Sequence, residues 1–337
     1  MWNARERDTW RWWLGAWAAR GCSTITCWAA PSAGFRRPEV SGPLRLAAPA
    51  KLNLYLELRG RRADGFHELV TVMTTLELAD DVTLSLRARR GSVPAGQADI
   101  SLTCRSEAPF RGELPERPER NLASLAAARL LAERGQLDAL GVEIELVKRV
   151  PAGGGLGGGS SDAAAVLLGL ARLLDGDASP ERLTPLAATL GSDVPFFLYG
   201  GTCLCTGRGE QVQPINSHRS VAVLLMLPPF GVSTPAVYAA LQAPPCMRSA
   251  APDQLDALAA SIADADASAL SRLFRNDLSA AALRCEPRLA NMLAQDGVML
   301  SGSGSTMFSL GQQTPPAISA SNIAPITYVR TFAGGAL

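Results

Sequence analysis

Lysine is nearly absent from this chain. Of 32 basic residues only Lys51 and Lys148 are lysine, which leaves 30 arginines. In so arginine-rich a chain, a retained lysine points to a place that needs a compact ammonium rather than a planar guanidinium. Chance is the competing reading for either lysine alone. Histidine is as scarce, with only His67 and His218, and this excludes a histidine-rich metal centre by count. The seven cysteines are odd in number and form no Cys-x-x-Cys pair. A disulfide framework or a zinc site is therefore not expected, and a reducing compartment fits better. The formal net charge is only +1, so no global field recruits nucleic acid or an anionic membrane. A charged ligand must be held by a local site.

Tryptophan is missing from everything after residue 28; all six lie within the first 28 residues. The apolar run 12–19 is far too short to span a bilayer, and Arg20 ends it, so no stable membrane insertion is expected. The mixed-charge start Arg5-Glu6-Arg7-Asp8 argues against a cleaved secretory signal. The few acids leave a transit peptide open, and the tryptophans leave an interfacial anchor open. The simplest expectation is that 1–43 form a disordered extension, or precede the true start.

What is present is the pattern of an α+β protein. Hydrophobic residues make up 47% and charged residues 19%, as in ordinary globular domains. Leu52, Leu54, Leu56 and Leu58 alternate with Lys51, Asn53, Tyr55 and Glu57, which predicts a strand over 44–58. Strands are also predicted over 69–78, 82–86, 100–104, 141–150, 221–227, 298–300 and 306–310. Asn121 is a good N-cap for a helix that follows it. Further helices are predicted over 160–174, 180–190, 254–262, 267–274 and 286–294. No internal repeat is present, and a domain boundary is expected near residue 205. Lys148 continues the apolar phase of Val142, Ile144 and Leu146, and a charge at such a position suggests that the strand end opens onto a site.

The central feature is Pro151-Ala152-Gly153-Gly154-Gly155-Leu156-Gly157-Gly158-Gly159-Ser160-Ser161-Asp162. Glycine lets the backbone take positive φ and approach a ligand closely. Successive N–H groups can then converge on an anion, ahead of a helix N-terminus with unpaired N–H groups. Strand, glycine loop and helix together make a phosphate cradle. A flexible linker is the bland alternative, but a linker is not wedged between a strand and an apolar helix. No Gly-Lys-Ser/Thr ends the run, so it is not a Walker A loop. The acidic residue of a dinucleotide fingerprint is missing too. A side chain at Gly157 or Gly158 is expected to block phosphate approach without unfolding the protein.

This run resembles the second motif of the GHMP kinases, named for galactokinase, homoserine kinase, mevalonate kinase and phosphomevalonate kinase. Ala48-Pro49-Ala50-Lys51-Leu52-Asn53-Leu54 resembles their first motif, and Leu300-Ser301-Gly302-Ser303-Gly304-Ser305-Thr306 their third. Within the superfamily, Arg62-Ala63-Asp64-Gly65-Phe66-His67-Glu68 and Gly191-Ser192-Asp193-Val194-Pro195-Phe196-Phe197 resemble segments of the diphosphocytidyl-methylerythritol kinases. The resemblance runs from about 46 to 310.

It implies a two-domain α+β GHMP kinase fold: a ribosomal-protein-S5-domain-2-like ATP-binding domain over 44–205 and a ferredoxin-like domain over 206–337. It implies ATP-dependent phosphorylation of the 2-hydroxyl of a cytidine diphosphate substrate on a route to isoprenoid precursors, with Mg²⁺ and no partner nucleic acid. The bacterial cytoplasm is the implied location, or a plastid if 1–43 are a transit peptide. By the same resemblance Asp193 is the general base and Lys51 its catalytic partner. Lys148 and residues 151–161, with Ser160 or Ser161 also capping the helix, bind the nucleotide. Asn53, Phe66, His67, Tyr238, Gly302 and Gly304 bind the substrate, and no protein residue is assigned to a metal. Phe66 stands where these kinases often carry tyrosine. The alternatives are another GHMP kinase, acting on a sugar, homoserine or mevalonate, and a non-catalytic nucleotide-binding member.

Because the periodic pattern begins only near Leu44, removing residues 1–40 is expected to leave the fold intact. Thermal denaturation of the truncated and full chains checks this, and an insoluble truncated chain overturns the boundary.

Overall fold

The structure is a computed structural model that describes residues 42–108, 114, 118–215, 221–241, 272–310 and the backbone of 327–330. The expected extension lies outside the described residues up to position 41. So do the helix predicted over 254–262 and most of that over 267–274.

The chain builds two sheets. Strand β1 (Leu44–Arg61) pairs antiparallel with β2 (His67–Ala88) along almost their whole lengths. β3 (Asp99–Ser106) and β4 (Leu140–Lys148) extend the sheet beyond β2 in the order β3-β4-β2-β1. β5 (Thr202–Gly207) pairs with another part of β2 and with β6 (Gln211–Ile215). The second sheet is formed by β7 (Ala222–Met226), β9 (Met299–Leu300), β10 (Met307–Leu310) and β11 (Thr327–Arg330), in the order β11-β7-β10-β9. The short β8 (Arg275–Asn276) returns to the first sheet beside β1. The chain thus changes sheets between Ile215 and Ala222, and the boundary expected near 205 falls inside β5.

Helix α1 (Leu122–Glu133) starts where the sequence predicts. Asn121 Oδ1 accepts the Ala123 N–H at 2.9 Å, a cap worth about 1 kcal/mol. Helix α2 (Gly158–Asp175) carries the apolar stretch after the glycine loop, and every residue from Ser161 to Ala171 is buried. It ends on Gly176, whose left-handed φ of 74° sends its N–H back to the Arg172 carbonyl. Helices α3 (Pro180–Leu190) and α4 (Val194–Tyr199) pack against it. The core they form with the first sheet includes Leu84, Leu130, Leu131, Ile144, Leu146 and Phe196. Each such side chain stabilises the fold by about 1.5–3 kcal/mol through burial. α5 (Thr234–Ala239), α6 (Ser279–Cys285) and the one-turn α7 (Ala290–Leu293) accompany the second sheet. The two sheets share their apolar clusters: Leu52, Leu54 and Val72 of the first meet Val223, Leu225 and Phe308 of the second.

Three departures from the sequence pattern matter. First, β1 is buried on both faces from Ala48 to Tyr55 and beyond, so the expected polar face of Lys51 and Asn53 does not meet solvent. Second, β1 has register shifts between Pro49 and Lys51 and between Asn53 and Tyr55. Such bulges re-aim side chains at functional sites, and these two bracket Lys51 and Asn53. Third, the two strands expected over 69–78 and 82–86 are one strand. Asp80, which reads as a break, pairs across to Ala48 and is fully buried. Its carboxylate accepts the N–H groups of Arg149 and Val150, so burial costs it no hydrogen bond.

Candidate active site

The glycine loop is held from behind. The Gly153 carbonyl accepts the Val232 N–H at 3.3 Å, Gly154 that of Thr306 at 3.1 Å, and Leu156 that of Lys51 at 2.9 Å. Gly155 accepts the Ser301 hydroxyl at 3.4 Å. A trans peptide holds its C=O and N–H on opposite sides. Four carbonyls turned backward therefore turn the N–H groups of residues 154–157 forward. There they line a cavity of about 1290 Å³.

Gly157 is the N-cap of α2, at φ 72°, with no side-chain cap. The first α2 N–H with a helical partner is that of Ser161, which bonds the Gly157 carbonyl at 2.9 Å. Those of 158–160 remain available at the positive end of an 18-residue helix. Neither Ser160 nor Ser161 caps the helix, contrary to expectation, because the chain enters its first turn before reaching them. The expectation for Gly157 is also corrected. A Cβ there would lie 2.9 Å from the Phe197 ring and 3.1 Å from Lys51 Cγ, and one at Gly158 would lie 3.1 Å from Val150. At Gly157 the close ring and the left-handed φ strain the protein itself, not only a ligand, whereas at Gly158 the Val150 side chain would have to give by a few tenths of an ångström.

Below the loop lies Lys51, 5% exposed. Its Nζ donates to Asn53 Oδ1 at 2.6 Å and stands 3.6 Å from Asp193 Oδ2. Asn53 in turn donates to Thr71 Oγ1 at 2.9 Å, and that hydroxyl donates to the Tyr55 carbonyl. This chain fixes the amide so that its oxygen faces the ammonium. Asp193 precedes α4 but makes no capping bond, so its carboxylate, about a third exposed, is left facing Lys51 and the cavity. Gly302 closes the other side, where a Cβ would come 2.9 Å from Asn53 Oδ1.

Lys148 sits on the opposite side of the loop. Its Nζ bonds both Asp80 and Asp162, the latter at 2.5 Å. All three groups are buried. Burial, with Asp80 beside it, pushes the Asp162 carboxyl up to about 7, against the opposing pull of Lys148. The Lys148 ammonium is held above its ordinary value by the two carboxylates, which outweigh its burial. Among the described residues, one Asp162 oxygen, Oδ1, has no hydrogen-bond partner, nor has the Ser161 hydroxyl. The trio fastens the end of β4 and the start of α2 to β2, and so fixes both ends of the loop.

The far end of the cavity is aromatic. His67 and Tyr238 stack at 5.1 Å between ring centroids, tilted by 36°. Burial, then the charge of Arg61, lowers the His67 pKa, which favours a neutral ring with one donor and one acceptor nitrogen. Burial, then the charge of Asp193, pushes the Tyr238 phenol up to about 12. Phe66 is half exposed and lies under the Arg208 guanidinium, 4.8 Å from its ring centroid.

Of the residues expected from sequence, the cavity brings together Lys51, Asn53, Phe66, His67, Lys148, 151–160, Asp193, Tyr238 and Gly302. Ser161 and Gly304 are not in its lining. Ser161 is buried in the helix, and Gly304 packs toward Leu300 and against the loop. Sequence reasoning missed Asp80, which it left between two strands, and Asp162, which it read only as the end of the glycine run. It also missed Arg208 and Ser192.

The pattern of the GHMP kinases N terminal domain matches residues 121–201. The 4-diphosphocytidyl-2-C-methyl-D-erythritol kinase of Shouchella clausii is 40% identical over 271 residues, spanning 79% of this chain and 84% of the relative. The kinase of the same name from Heliobacterium modesticaldum is 37% identical over 303 residues, spanning 82% and 90%. Among solved structures, a 4-(cytidine 5'-diphospho)-2C-methyl-D-erythritol kinase aligns with a TM-score of 0.57 at 35% identity, over 79% of this chain and 90% of that one. Homoserine kinase from Cytophaga hutchinsonii aligns equally well, at 0.57, over 90% and 98%. At 20% identity it shares the fold alone.

The buried trio generates a prediction with a pH sign. Asp162 is raised to about 7, so between its unfolded value and 7 the folded protein holds a proton that the unfolded chain has lost. That contribution is full at low pH and disappears as pH rises through about 7. The stability advantage of wild type over Asp162→Asn is therefore expected to shrink between about pH 5 and pH 8, as read by thermal denaturation. Lys148→Met leaves two buried carboxylates without a cation and is expected to cost about 3–5 kcal/mol. A pH-independent gap for Asp162→Asn overturns the assignment.

Proposed function

Since the chain belongs to the 4-diphosphocytidyl-2-C-methyl-D-erythritol kinase family of GHMP kinases, we propose that it transfers the terminal phosphoryl group of ATP to the 2-hydroxyl of 4-diphosphocytidyl-2-C-methyl-D-erythritol. The observation that carries the reading is the uncapped Asp193 carboxylate, 3.6 Å from a buried ammonium, in the same cavity as the forward-facing N–H groups of the glycine loop.

Phosphoryl transfer asks the protein mainly to position two reactants and stabilise spread negative charge. The loop N–H groups and the start of α2 receive the triphosphate. Asp193 accepts the proton of the attacking hydroxyl as the new O–P bond forms and the bond from the terminal phosphorus to the bridging oxygen breaks, releasing ADP. Lys51 offsets charge on the transferring group. Asn53, anchored by Thr71, orients Lys51. At the other end the His67 and Tyr238 rings and the Phe66 face take the cytosine, with the imidazole edge supplying hydrogen bonds.

ATP brings Mg²⁺, which keeps most of its waters and phosphate ligands and needs only one or two protein oxygens. The Ser160 hydroxyl, in the cavity lining at the start of α2, is a hard oxygen that fits such an ion. When bound it neutralises charge on the phosphates.

Two variants test the reading with purified protein, ATP and the cytidylated substrate. Asp193→Asn is expected to lower kcat by about 10²–10⁴-fold, with nucleotide affinity nearly unchanged. A variant retaining more than about a tenth of wild-type kcat overturns the base assignment. Lys51→Arg keeps the charge but widens the group, in a slot bounded by Gly157, Asn53 and Gly302. It is expected to lower kcat well beyond threefold, with little effect on nucleotide binding. A smaller loss, under about 0.7 kcal/mol in the barrier, returns Lys51 to a merely structural role.

A further inference from the structure

A substrate that reaches from the aromatic end of the cavity to Asp193 must lay its diphosphate between them. Lys51 is engaged by Asn53 and Asp193, and Lys148 by Asp80 and Asp162. Arg120 belongs to the glycine-loop end. It is two residues from Leu122, whose side chain comes 3.8 Å from a Cβ built at Gly159. Arg61 is turned to the Gly65 carbonyl, to which its Nε donates at 3.3 Å. Arg208 stands in the gap.

It follows β5 in a turn made by Gly207 and Gly209, both at positive φ. That turn lays Gly209 against Ser192, with a Cβ built at Gly209 only 3.7 Å from the Ser192 carbonyl. Ser192 is the residue before Asp193. The guanidinium reaches the other way, over the Phe66 ring at 4.8 Å. Arg208 therefore spans the distance from the aromatic end to the neighbour of Asp193, and it lines the cavity along the way. Its own partners hold it loosely. Nη2 donates to the Ala188 carbonyl at 3.4 Å, and Nε is 3.7 Å from Glu210 Oε1. The other Glu210 oxygen accepts the Arg208 backbone N–H at 2.5 Å.

We propose that Arg208 is a specificity-determining residue that binds the diphosphate of the cytidylated substrate. This assignment rests on the function proposed above. A guanidinium presents paired N–H groups that match phosphate oxygens bidentately. Stacking on Phe66 presets its plane at low conformational cost. The same contact gives the missing tyrosine hydroxyl at position 66 a physical counterpart. A phenyl ring offers its face to the guanidinium, and the polar contact with substrate passes to Arg208.

The test combines a truncated ligand with a truncated side chain. Affinities for cytidine and for CDP are measured by calorimetry on wild type, Arg208→Met and Arg208→Lys, with thermal melts beside them. Wild type is expected to prefer CDP to cytidine. In Arg208→Met that preference is expected to fall by at least about tenfold, the lower end for a charge-assisted hydrogen bond. Cytidine affinity and the KM for ATP should stay within about threefold of wild type, under roughly 0.7 kcal/mol. Arg208→Lys should recover part of the preference, and it supplies the same ratio if the methionine variant folds poorly. Equal weakening of cytidine and CDP would mean that Arg208 only steadies Phe66, and it overturns the proposal. An unchanged CDP-to-cytidine ratio overturns it as well. Wild-type protein that binds neither ligand overturns the functional reading itself, a result separable from failure at Arg208 alone.

Discussion

The carbonyl groups of residues 153–156 are bonded away from the cavity, and the rest of the site depends on where those bonds come from. Lys51 supplies one from β1, Val232 another from the turn before α5, and Ser301 and Thr306 two more from the loop between β9 and β10. A glycine-rich segment has no shape of its own, since each residue is free to take either sign of φ. Here three distant segments impose one. The approach is close enough to exclude side chains: a Cβ at Gly155 would sit 2.6 Å from the Ser301 carbonyl. The proposed phosphate cradle is thus a tertiary structure, assembled only when the second sheet has packed on the first.

The scarcity of lysine then has a structural counterpart. Both lysines are buried, at 5% and 8% exposure, and both point Nζ at carboxylates. An ammonium is a compact donor whose three bonds can be aimed separately. Lys148 uses two of them on carboxylates brought by β2 and α2, in a space where a guanidinium plane would have to face both at once. Arginine serves elsewhere in the chain, including the rim positions Arg61, Arg120 and Arg208 of this cavity.

Legibility in the sequence followed the range of the forces involved. Local signals held well: the Asn121 cap, the start of α1, the Pro180–Leu190 helix and the strand before the glycine loop all lie close to where periodicity puts them. Features that depend on partners far along the chain were hidden. Nothing near Asp80 says that its carboxylate will receive two backbone N–H groups some seventy positions away, so it read as a strand break. The bulges around Lys51 and Asn53 arise from pairing with β2 and from the Leu156 carbonyl. The alternation of β1 could not show them. Helix α4 is short and begins with Val194-Pro195, too brief for a period to register. Arg208 is one arginine among 30 and becomes distinct only when the turn at Gly207 and Gly209 carries it toward Phe66 and Ser192. The site residues were found mainly through resemblance in short motifs. The chemistry that joins them across the cavity was not in any one motif.

The charge balance around the two lysines explains why the backbone has to do so much. Their ammoniums are matched by three carboxylates, Asp193, Asp80 and Asp162, so these groups together offer no surplus of positive charge. The excess in the lining comes from Arg61, Arg120 and Arg208, and beside the loop a polyanion is met by fixed dipoles: the N–H groups of the loop and the open end of α2, aligned before any ligand arrives. Fixed dipoles cost no reorganisation when charge develops on a transferring group, whereas mobile side chains must first be ordered. Holding both lysines by carboxylates serves the same end, since each ammonium is oriented in advance by the group it neutralises. The rigidity of the two lysines and their lack of surplus charge are therefore two consequences of one arrangement.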